Sequence, residues 1–224
     1  MHDKFVVLDG NAVWTGSWNA TANDTFRNDN NMLRLADARI ADNYRRKFDL
    51  LFAGHGGPGH RAPLRFPLVG VADYRIATAF APDGDVSGQI VNTLRQAHSS
   101  IEFLAYTFTS EPIADAVVAA RSRGVRVRGV VEQRNARVAG SAVPMLKRAG
   151  MDLREDGNCG LMHHKVFVVD GQTVITGSFN WTRQAQEAND ENVVFVDNPW
   201  LAQRYTDEFA RIYAQAVNPM RCGK

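Results

Sequence analysis

Residues 162–182, MHHKVFVVDGQTVITGSFNWT, decide the fold because nearly the same phrase opens the chain as residues 1–21, MHDKFVVLDGNAVWTGSWNAT. Twelve of the twenty-one positions are identical, no gap is needed, and the offset is 161 throughout. The offset continues beyond the phrase, for example from Tyr44 to Tyr205. About fifty residues are therefore present twice, and a repeat of this kind constrains the architecture more than any single motif does.

Each copy contains two apolar stretches around an Asp-Gly pair, KFVVLDGNAVWTGS and KVFVVDGQTVITGS. Asp-Gly between apolar runs predicts a β-hairpin, because both residues accept the positive φ of a tight turn. Alternate side chains of a strand share one face, so His2 and Lys4 point the same way, as do His163 and Lys165. We therefore expect one imidazole and one ammonium to project together from each copy.

The segment between the copies changes character near residue 74. A Gly- and Pro-rich stretch, AGHGGPGHRAPLRFP, predicts a linker over residues 53–73. From Tyr74 onward, strand-like runs (YRIATAF, IEFLAYTF, GVRVRGVVE) alternate with helical segments, one of which starts near Pro112. This alternation predicts an α/β fold, a mixed β-sheet flanked by helices in layers.

The repeat also predicts the domain organisation. Residues 1–52 match only the back half of residues 74–224, so we expect the C-terminal half of a first repeat, the linker, and then a complete second repeat. On this interpretation the tandem arrangement is truncated at the N-terminus of its first repeat, whose front half would precede Met1.

Composition excludes few functions. The 224 residues are 45% hydrophobic with a formal charge of +2, which predicts a soluble globular protein that is less basic than a dedicated nucleic-acid binder. Residues 121–154 nevertheless hold nine Lys or Arg against two acids. Cys159 and Cys222 permit one disulfide without requiring it. The sequence contains neither a membrane-spanning apolar run nor a signal peptide, and the compartment stays open.

The duplicated side chains suit a phosphate diester. Two lysines can hold non-bridging oxygens as point charges, and a neutral imidazole can attack phosphorus while a protonated one gives its proton to the leaving alkoxide. Hydrogen-bond donors from the same phrases can bind or support the phosphate: Ser17, Asn19, Ser178 and Asn180. Asp9 and Asp170 fall on the turns, where we expect a structural role, not that of an acid or base.

The pattern resembles the signature of the phospholipase D superfamily. His, any residue, Lys, four residues, Asp, and then Gly-Ser and Asn occur twice, at His2, Lys4, Asp9, Gly16, Ser17 and Asn19, and at His163, Lys165, Asp170, Gly177, Ser178 and Asn180. The resemblance covers nearly the whole chain, with residues 74–224 similar to one complete family domain. It implies a phosphodiesterase or transphosphatidylase that needs neither metal nor cofactor. The two motifs would meet at one site, and a covalent phosphohistidine would form.

One difference between the copies suggests separate roles for the histidines. Glu191 resembles the acidic residue that pairs with a histidine in the family, whereas the first copy has Asn30 there. A carboxylate favours a charged imidazole, and nearby cations disfavour it. We therefore expect His163, near Glu191, to be the protonated general acid and His2 to be the neutral nucleophile.

Several alternatives remain open at the level of sequence. A phospholipid substrate is slightly favoured by the modest charge and the two motifs in one chain, and a nucleic acid by the basic stretch and the GSFNWT form of the second motif. Two other hypotheses are an inactive fragment that binds lipid or nucleic acid, and a homodimer of the second repeat around two His163 residues. A metal site is disfavoured because Lys165 would lie beside the ion and His164 should face away from His163.

Overall fold

The first copy folds into a small antiparallel sheet with a long helix against it. The computed structural model describes residues 1–222. Its first strands are β1 (Phe5–Leu8), β2 (Ala12–Gly16) and β3 (Met32–Leu35), with β2 in the middle. Helix α1 (Ala22–Phe26) connects β2 to β3, and α2 (Ala38–Phe52) packs against β1 and β2.

The rest of the chain builds an eight-stranded mixed sheet. Its strands are β4 (Leu68–Val71), β5 (Tyr74–Ala81), β6 (Ser100–Ala105), β7 (Arg126–Val131), β8 (Asp152–Glu155), β9 (Lys165–Val169), β10 (Thr173–Gly177) and β11 (Glu191–Asp197). Their spatial order is β4-β5-β11-β10-β9-β6-β7-β8. Only the β6–β7 and β7–β8 pairs are parallel, as expected where helices cross between strands.

Helices cover both faces of this sheet. They are α3 (Val86–Arg95), α4 (Glu111–Ser122), α5 (Val143–Arg148), α6 (Arg183–Glu187) and α7 (Pro199–Val217). Ile90 of α3 and Val117 of α4 are buried in the larger apolar core, whereas Phe209 of α7 lies in a second core with Val130 and Val166. The predicted α/β fold with a mixed sheet flanked by helices is confirmed.

The two copies of the repeated phrase adopt the same order of elements. Strand, strand, short helix, strand and long helix follow one another as β1, β2, α1, β3, α2 and again as β9, β10, α6, β11, α7. Asp9 and Asp170 have φ of 51° and 54°, and the glycine after each is also at positive φ. The Asp-Gly hairpins predicted from the sequence are therefore present in both copies.

A shared apolar interface joins the two sheets. Val13 and Tyr44 of the first copy lie in one buried cluster with Phe80 and Val194 of the large sheet. The ring of Tyr44 packs edge-on against Phe80, with centroids 5.1 Å apart. This contact holds the two copies of the motif in a fixed relation to each other.

The stretch predicted as a linker is only partly irregular. Residues 54–67 contain no helix or strand, but Leu68–Val71 pair with β5 as an antiparallel hairpin. The end of the predicted linker thus belongs to the large sheet, a contribution hidden from the sequence because β4 is short and follows a Gly- and Pro-rich run. The domain boundaries themselves stay a prediction.

Three further features bear on the sequence expectations. Cys159 and Cys222 are joined by a disulfide that ties the segment after α7 to the loop before β9. In the described residues, no helix has the length and apolar character needed to cross a bilayer. The outer face of the first sheet is open, so Val6 and Trp14 are exposed where their counterparts Phe167 and Ile175 are buried.

Candidate active site

Each histidine is held by the backbone of the other copy. The His2 N–H donates to the carbonyl of Asp190 at 2.9 Å, and the His163 N–H donates to the carbonyl of Asp29 at 2.7 Å. Asp29 and Asp190 are themselves separated by the repeat offset of 161. The two motifs, which are 161 residues apart in the sequence, therefore meet through a reciprocal pair of contacts.

Glu191 pairs with His2, so the pairing with His163 predicted from the sequence is wrong. His2 Nδ1 lies 2.7 and 2.8 Å from the two carboxylate oxygens of Glu191, which is completely buried. The Asn189 side chain also donates to Glu191, at 3.1 Å. The prediction failed because it assigned the acid to the histidine of its own copy, whereas in the folded protein each histidine lies beside an acidic residue of the other copy.

Asp24 occupies the corresponding place beside His163. Its Oδ2 lies 3.7 Å from His163 Nδ1, which is buried and forms no hydrogen bond within the described residues. Burial alone would raise the pKa of Asp24, but hydrogen bonds from Asn28 and Asn19 and the nearby His163 lower it below the ordinary value. The carboxylate is therefore kept ionised next to the imidazole.

Asp24 was not predicted from the sequence. Alignment of the two copies does not reveal Asp24, because its counterpart at the offset of 161 is Ala185. The signal that could have found it is local, since Asp24 follows the motif residue Asn19 by five positions, in the first turn of α1.

The environment of His163 favours the neutral imidazole. Burial, followed by the nearby Lys165, lowers its pKa to about 3, although Asp24 acts in the opposite direction. His163 is only 7% exposed, and its ring packs edge-on against Tyr106, with centroids 4.5 Å apart. His2, by contrast, has a third of its side chain exposed and a carboxylate against its Nδ1.

The two lysines are arranged alike. Lys4 Nζ donates to the carbonyl of His2 at 2.9 Å, and Lys165 Nζ donates to that of His163 at 2.8 Å. Lys165 is fully buried, with its ammonium 4.7 Å from the centre of the Tyr106 ring. Burial lowers the pKa of both lysines, and for Lys165 the proximity of Lys4 lowers it further. A bound phosphate anion would raise both values again.

The serines of the motifs support protein groups. Ser17 and Ser178 are both completely buried. The Ser178 hydroxyl donates to Glu191 at 2.6 Å, and the Ser17 hydroxyl accepts from the backbone N–H of Asn31. Of the two roles predicted for them, phosphate binding or support, the contacts correspond to support.

The two motif asparagines differ in their contacts. The backbone and side-chain amides of Asn19 both donate to Asp24 Oδ2, at 2.6 Å each. The side-chain carbonyl of Asn180 is buried and has no partner among the described residues. Asn19 therefore orients the acid beside His163, whereas the Asn180 amide remains a candidate for contact with a substrate.

The glycine before each serine allows a close backbone approach. A Cβ at Gly16 would collide with the Asn31 carbonyl, and one at Gly177 with the Asn192 carbonyl. These carbonyls accept the N–H groups of Ser17 and Ser178, each at 3.0 Å. The Gly-Ser pair is thus a packing requirement that brings the third strand of each copy against its motif.

Asn31 is a positioning residue that was not predicted from the sequence. Its Nδ2 donates to the Thr176 hydroxyl at 3.1 Å and to the Tyr205 hydroxyl at 2.8 Å, both in the second copy. The equivalent Asn192 reaches back and accepts from the hydroxyls of Thr15 and Tyr44. Each of these residues is identical at the offset of 161, which was the available signal.

The turn aspartates lie outside this network. Asp170 accepts the backbone N–H groups of His98, Ser99 and Ser100 and so fixes the entry to β6. Asp9 is exposed on its turn. Both positions agree with the structural role expected from the sequence. His164 faces away from His163, as predicted, and contacts Asn31 and Glu208.

Several known proteins are similar to this chain. A family model described as cardiolipin synthase, PLD-like domain, matches residues 1–52 and 90–213. The mitochondrial cardiolipin hydrolase of Xenopus tropicalis is 40% identical over 122 residues, which are 54% of this chain and 58% of that protein. The phospholipase D of Rickettsia conorii is 35% identical over 131 residues, or 58% and 66% of the two chains. The chain spans a little over half the length of the cardiolipin hydrolases that it matches.

Two solved structures are similar in fold. Nuc from Salmonella typhimurium, described as a phospholipase D family member, is 32% identical with a TM-score of 0.61 over 64% of this chain and 96% of its own. The phosphatidylserine synthase of Haemophilus influenzae has a TM-score of 0.73 over 96% of this chain and 62% of its own, at 13% identity. The second likeness concerns the fold alone.

Proposed function

The chain belongs to the phospholipase D superfamily, and we propose that it is a hydrolase of phosphodiesters that acts on phospholipids through a covalent phosphohistidine. The observation that carries the proposal is the exchange of carboxylates between the copies, which places Glu191 on His2 and Asp24 beside His163. Two imidazoles in different electrostatic settings are what nucleophilic attack and proton donation require.

The roles of the histidines follow from their surroundings and reverse the assignment expected from the sequence. His163, neutral because of burial and Lys165, attacks phosphorus, so that a P–N bond forms and the P–O bond to the leaving alcohol breaks. His2, held by Glu191, gives its proton to the departing alkoxide. Water then attacks the phosphohistidine, His2 takes back a proton, and the phosphomonoester leaves with His163 free again.

Lys4 and Lys165 complete the site as cations for the non-bridging oxygens. Both contact the carbonyl of the histidine in their own motif, which sets each ammonium beside the reacting groups. Lys165 is fully buried and Lys4 is partly buried, so an incoming phosphodiester anion meets the two side chains in a poorly solvated environment where charge interactions are strong.

Trapping of the phosphoenzyme tests the roles. The full chain is incubated with labelled substrate and quenched, and wild type is compared with His163→Ala, His2→Ala and, as a control, Glu187→Gln on the exposed surface of α6. We expect label in wild type and in the control, none in His163→Ala, and a turnover reduced roughly 10²–10⁴-fold in His2→Ala. Label that survives loss of His163 and vanishes with loss of His2 would reverse the assignment.

The same variants address oligomeric state. If two copies of the second repeat formed the site, activity would survive His2→Ala and disappear in His163→Ala. Loss in both variants, together with a monomer by light scattering, supports the site within one chain. A chain that binds substrate but never forms phosphoenzyme would support the inactive fragment.

A phospholipid is favoured as the substrate because the cardiolipin hydrolases are among the similar proteins and because part of the basic stretch is engaged in ion pairs within the protein. Arg128 pairs with Glu102, and Arg137 and Lys147 both pair with Glu155. Vesicles of cardiolipin and of phosphatidylcholine, assayed in parallel for release of the phosphomonoester, test this substrate class.

A nucleic-acid substrate is the second candidate. Arg27 and Arg134 line a cavity of about 210 Å³ together with Asn28 and Leu161, next to the loop that leads to His163. The arginines that form ion pairs in the described part of the chain do not include Arg27 or Arg134, so both are available to a neighbouring phosphate. Single-stranded DNA cleavage that falls steeply with salt, and is lost in Arg134→Ala, would favour this candidate over the lipid.

A further inference from the structure

The residue between His and Lys differs in charge between the two motifs. It is Asp3 in the first motif and His164 in the second. Asp3 Oδ1 accepts a hydrogen bond from Asn192 Nδ2 at 2.9 Å, and its Oδ2 is buried without a partner among the described residues. His164 is 1% exposed and lies against the equivalent Asn31 at 3.2 Å.

The two asparagines are turned in opposite directions as a result. Asn192 presents its side-chain carbonyl to the hydroxyls of Thr15 and Tyr44, which leaves its amino group for Asp3. Asn31 instead donates its amino group to hydroxyls and presents its carbonyl to His164. The polarity of each asparagine is thus matched to its acidic or basic neighbour.

Asp3 is connected to His2 through a short series of hydrogen bonds. From Asp3 the contact passes to Asn192, whose backbone N–H donates to the Ser178 hydroxyl at 3.0 Å. Ser178 donates to Glu191 at 2.6 Å, and Glu191 holds His2 Nδ1 at 2.7 Å. The side of the site around His2 therefore has two carboxylates, one in contact and one at the far end of the series.

We propose that Asp3 is a positioning residue that makes His2, rather than His163, the proton donor, by fixing Asn192 and by adding a second negative charge on the Glu191 side. The proposal rests on the function proposed above. His164, at the same place in the second motif, adds no negative charge beside His163. The two histidines, alike in the repeat, are thereby assigned different protonation states.

The charged groups that face Asp3 come from three elements. They are Lys47 of α2, Asp190 and Glu191 at the junction with β11, and Lys4 in the segment that precedes β1. Burial raises the pKa of Asp3 to about 7; Asn192 and Lys47 oppose the rise, and Glu191 and Asp190 add to it. Asp3 therefore becomes ionised as the pH rises through neutrality, so its negative charge is present on the alkaline side of the activity profile.

Asp3→Asn removes this charge and keeps the shape of the side chain, so an amide oxygen can still accept from Asn192. In the full chain we expect the alkaline limb of the kcat/KM profile to move to lower pH by roughly half a unit or more. The matched control is Asp49→Asn, an exposed carboxylate paired with Arg45 on α2, and its profile should superimpose on that of wild type.

A second readout separates this proposal from the proposed function. The titration of the His2 imidazole is followed by NMR in wild type and in Asp3→Asn, with His2→Gln to assign the signal. Its midpoint should move to lower pH in Asp3→Asn. An unchanged midpoint, or a reduced kcat with an unchanged pH profile, would overturn the role of Asp3. Absence of phosphodiester hydrolysis in wild type would contradict the proposed function alone, because the NMR titration needs no turnover.

Discussion

Replacement of Lys47 by Met should leave the buried carboxylate of Asp190 without its lysine partner at the interface of the two copies. Lys47 Nζ lies 2.8 Å from Asp190 Oδ1, and each side chain is only 3% exposed. Asp190 also accepts the Gly57 N–H, and its carbonyl accepts the His2 N–H. Removing one partner of a buried ion pair costs roughly 3–5 kcal/mol of unfolding free energy, or about 6–20 °C in Tm for a chain of this size.

The loss of stability in Lys47→Met should depend on pH, because the pKa of Asp190 differs between wild type and the variant. Burial alone would raise the pKa of Asp190, but Lys47 and the Gly57 N–H lower it below the ordinary value of 3.8. In wild type the pair therefore contributes stability above about pH 4 that is lost as the carboxyl is protonated below it. Without Lys47 the pKa of this carboxyl rises. The deficit of Lys47→Met should thus be largest near neutral pH and smallest at about pH 4.

Urea unfolding followed by circular dichroism at the two pH values measures this deficit. Arg45→Met is the control, because Arg45 is half exposed on the same helix and its ion pairs with Asp42 and Asp49 are screened by solvent and should contribute little to stability. The double variant Lys47→Met with Asp190→Asn should recover part of the loss. If Lys47→Met costs no more than the control, or costs the same at both pH values, the buried pair does not stabilise the interface as argued.

Three further changes have defined outcomes. Asp3→Asn should make the unfolding free energy less dependent on pH. Because the pKa of Asp3 is raised to about 7, wild type should lose up to about 4 kcal/mol of unfolding free energy relative to the variant between pH 4 and 7; the same pH dependence in wild type and variant, measured by urea unfolding, would contradict this. Gly177→Ala should cost about 2 kcal/mol or more and lower activity, since its Cβ meets the Asn192 carbonyl; a wild-type Tm would show that the strands can separate without cost. Cys222→Ser removes the disulfide to Cys159, which closes a loop of 63 residues, and should lower the unfolding free energy by up to about 4 kcal/mol. A Tm of wild type that does not change when dithiothreitol is added would contradict this.

The repeat made much of the fold predictable. Apolar runs around Asp-Gly define β1, β2, β9 and β10, because the turn chemistry and the strand period act within a few residues. The same phrases predicted that His2 and Lys4 project together. These are local properties, and a sequence determines them without knowledge of what packs against them.

The partners of the histidines could not be predicted in the same way. Spacing along the chain brought Glu191 close to His163 in sequence, but tertiary packing of the two sheets assigns it to His2. Asp24 was overlooked for the same reason, since the acid that serves His163 sits in the other copy and has Ala185 as its counterpart. Alignment of repeats detects what the copies share, whereas the site depends on where they differ.

The reciprocal contacts between the copies have a consequence for the integrity of the polypeptide. Loop residues 58–63 are mostly exposed and lie between the two halves of the site. The halves are held together by the apolar interface, the Lys47–Asp190 pair and the exchanged histidine contacts. A protease that cuts this loop is therefore expected to leave a nicked but assembled molecule, and the two fragments, produced separately, should complement each other into one working site.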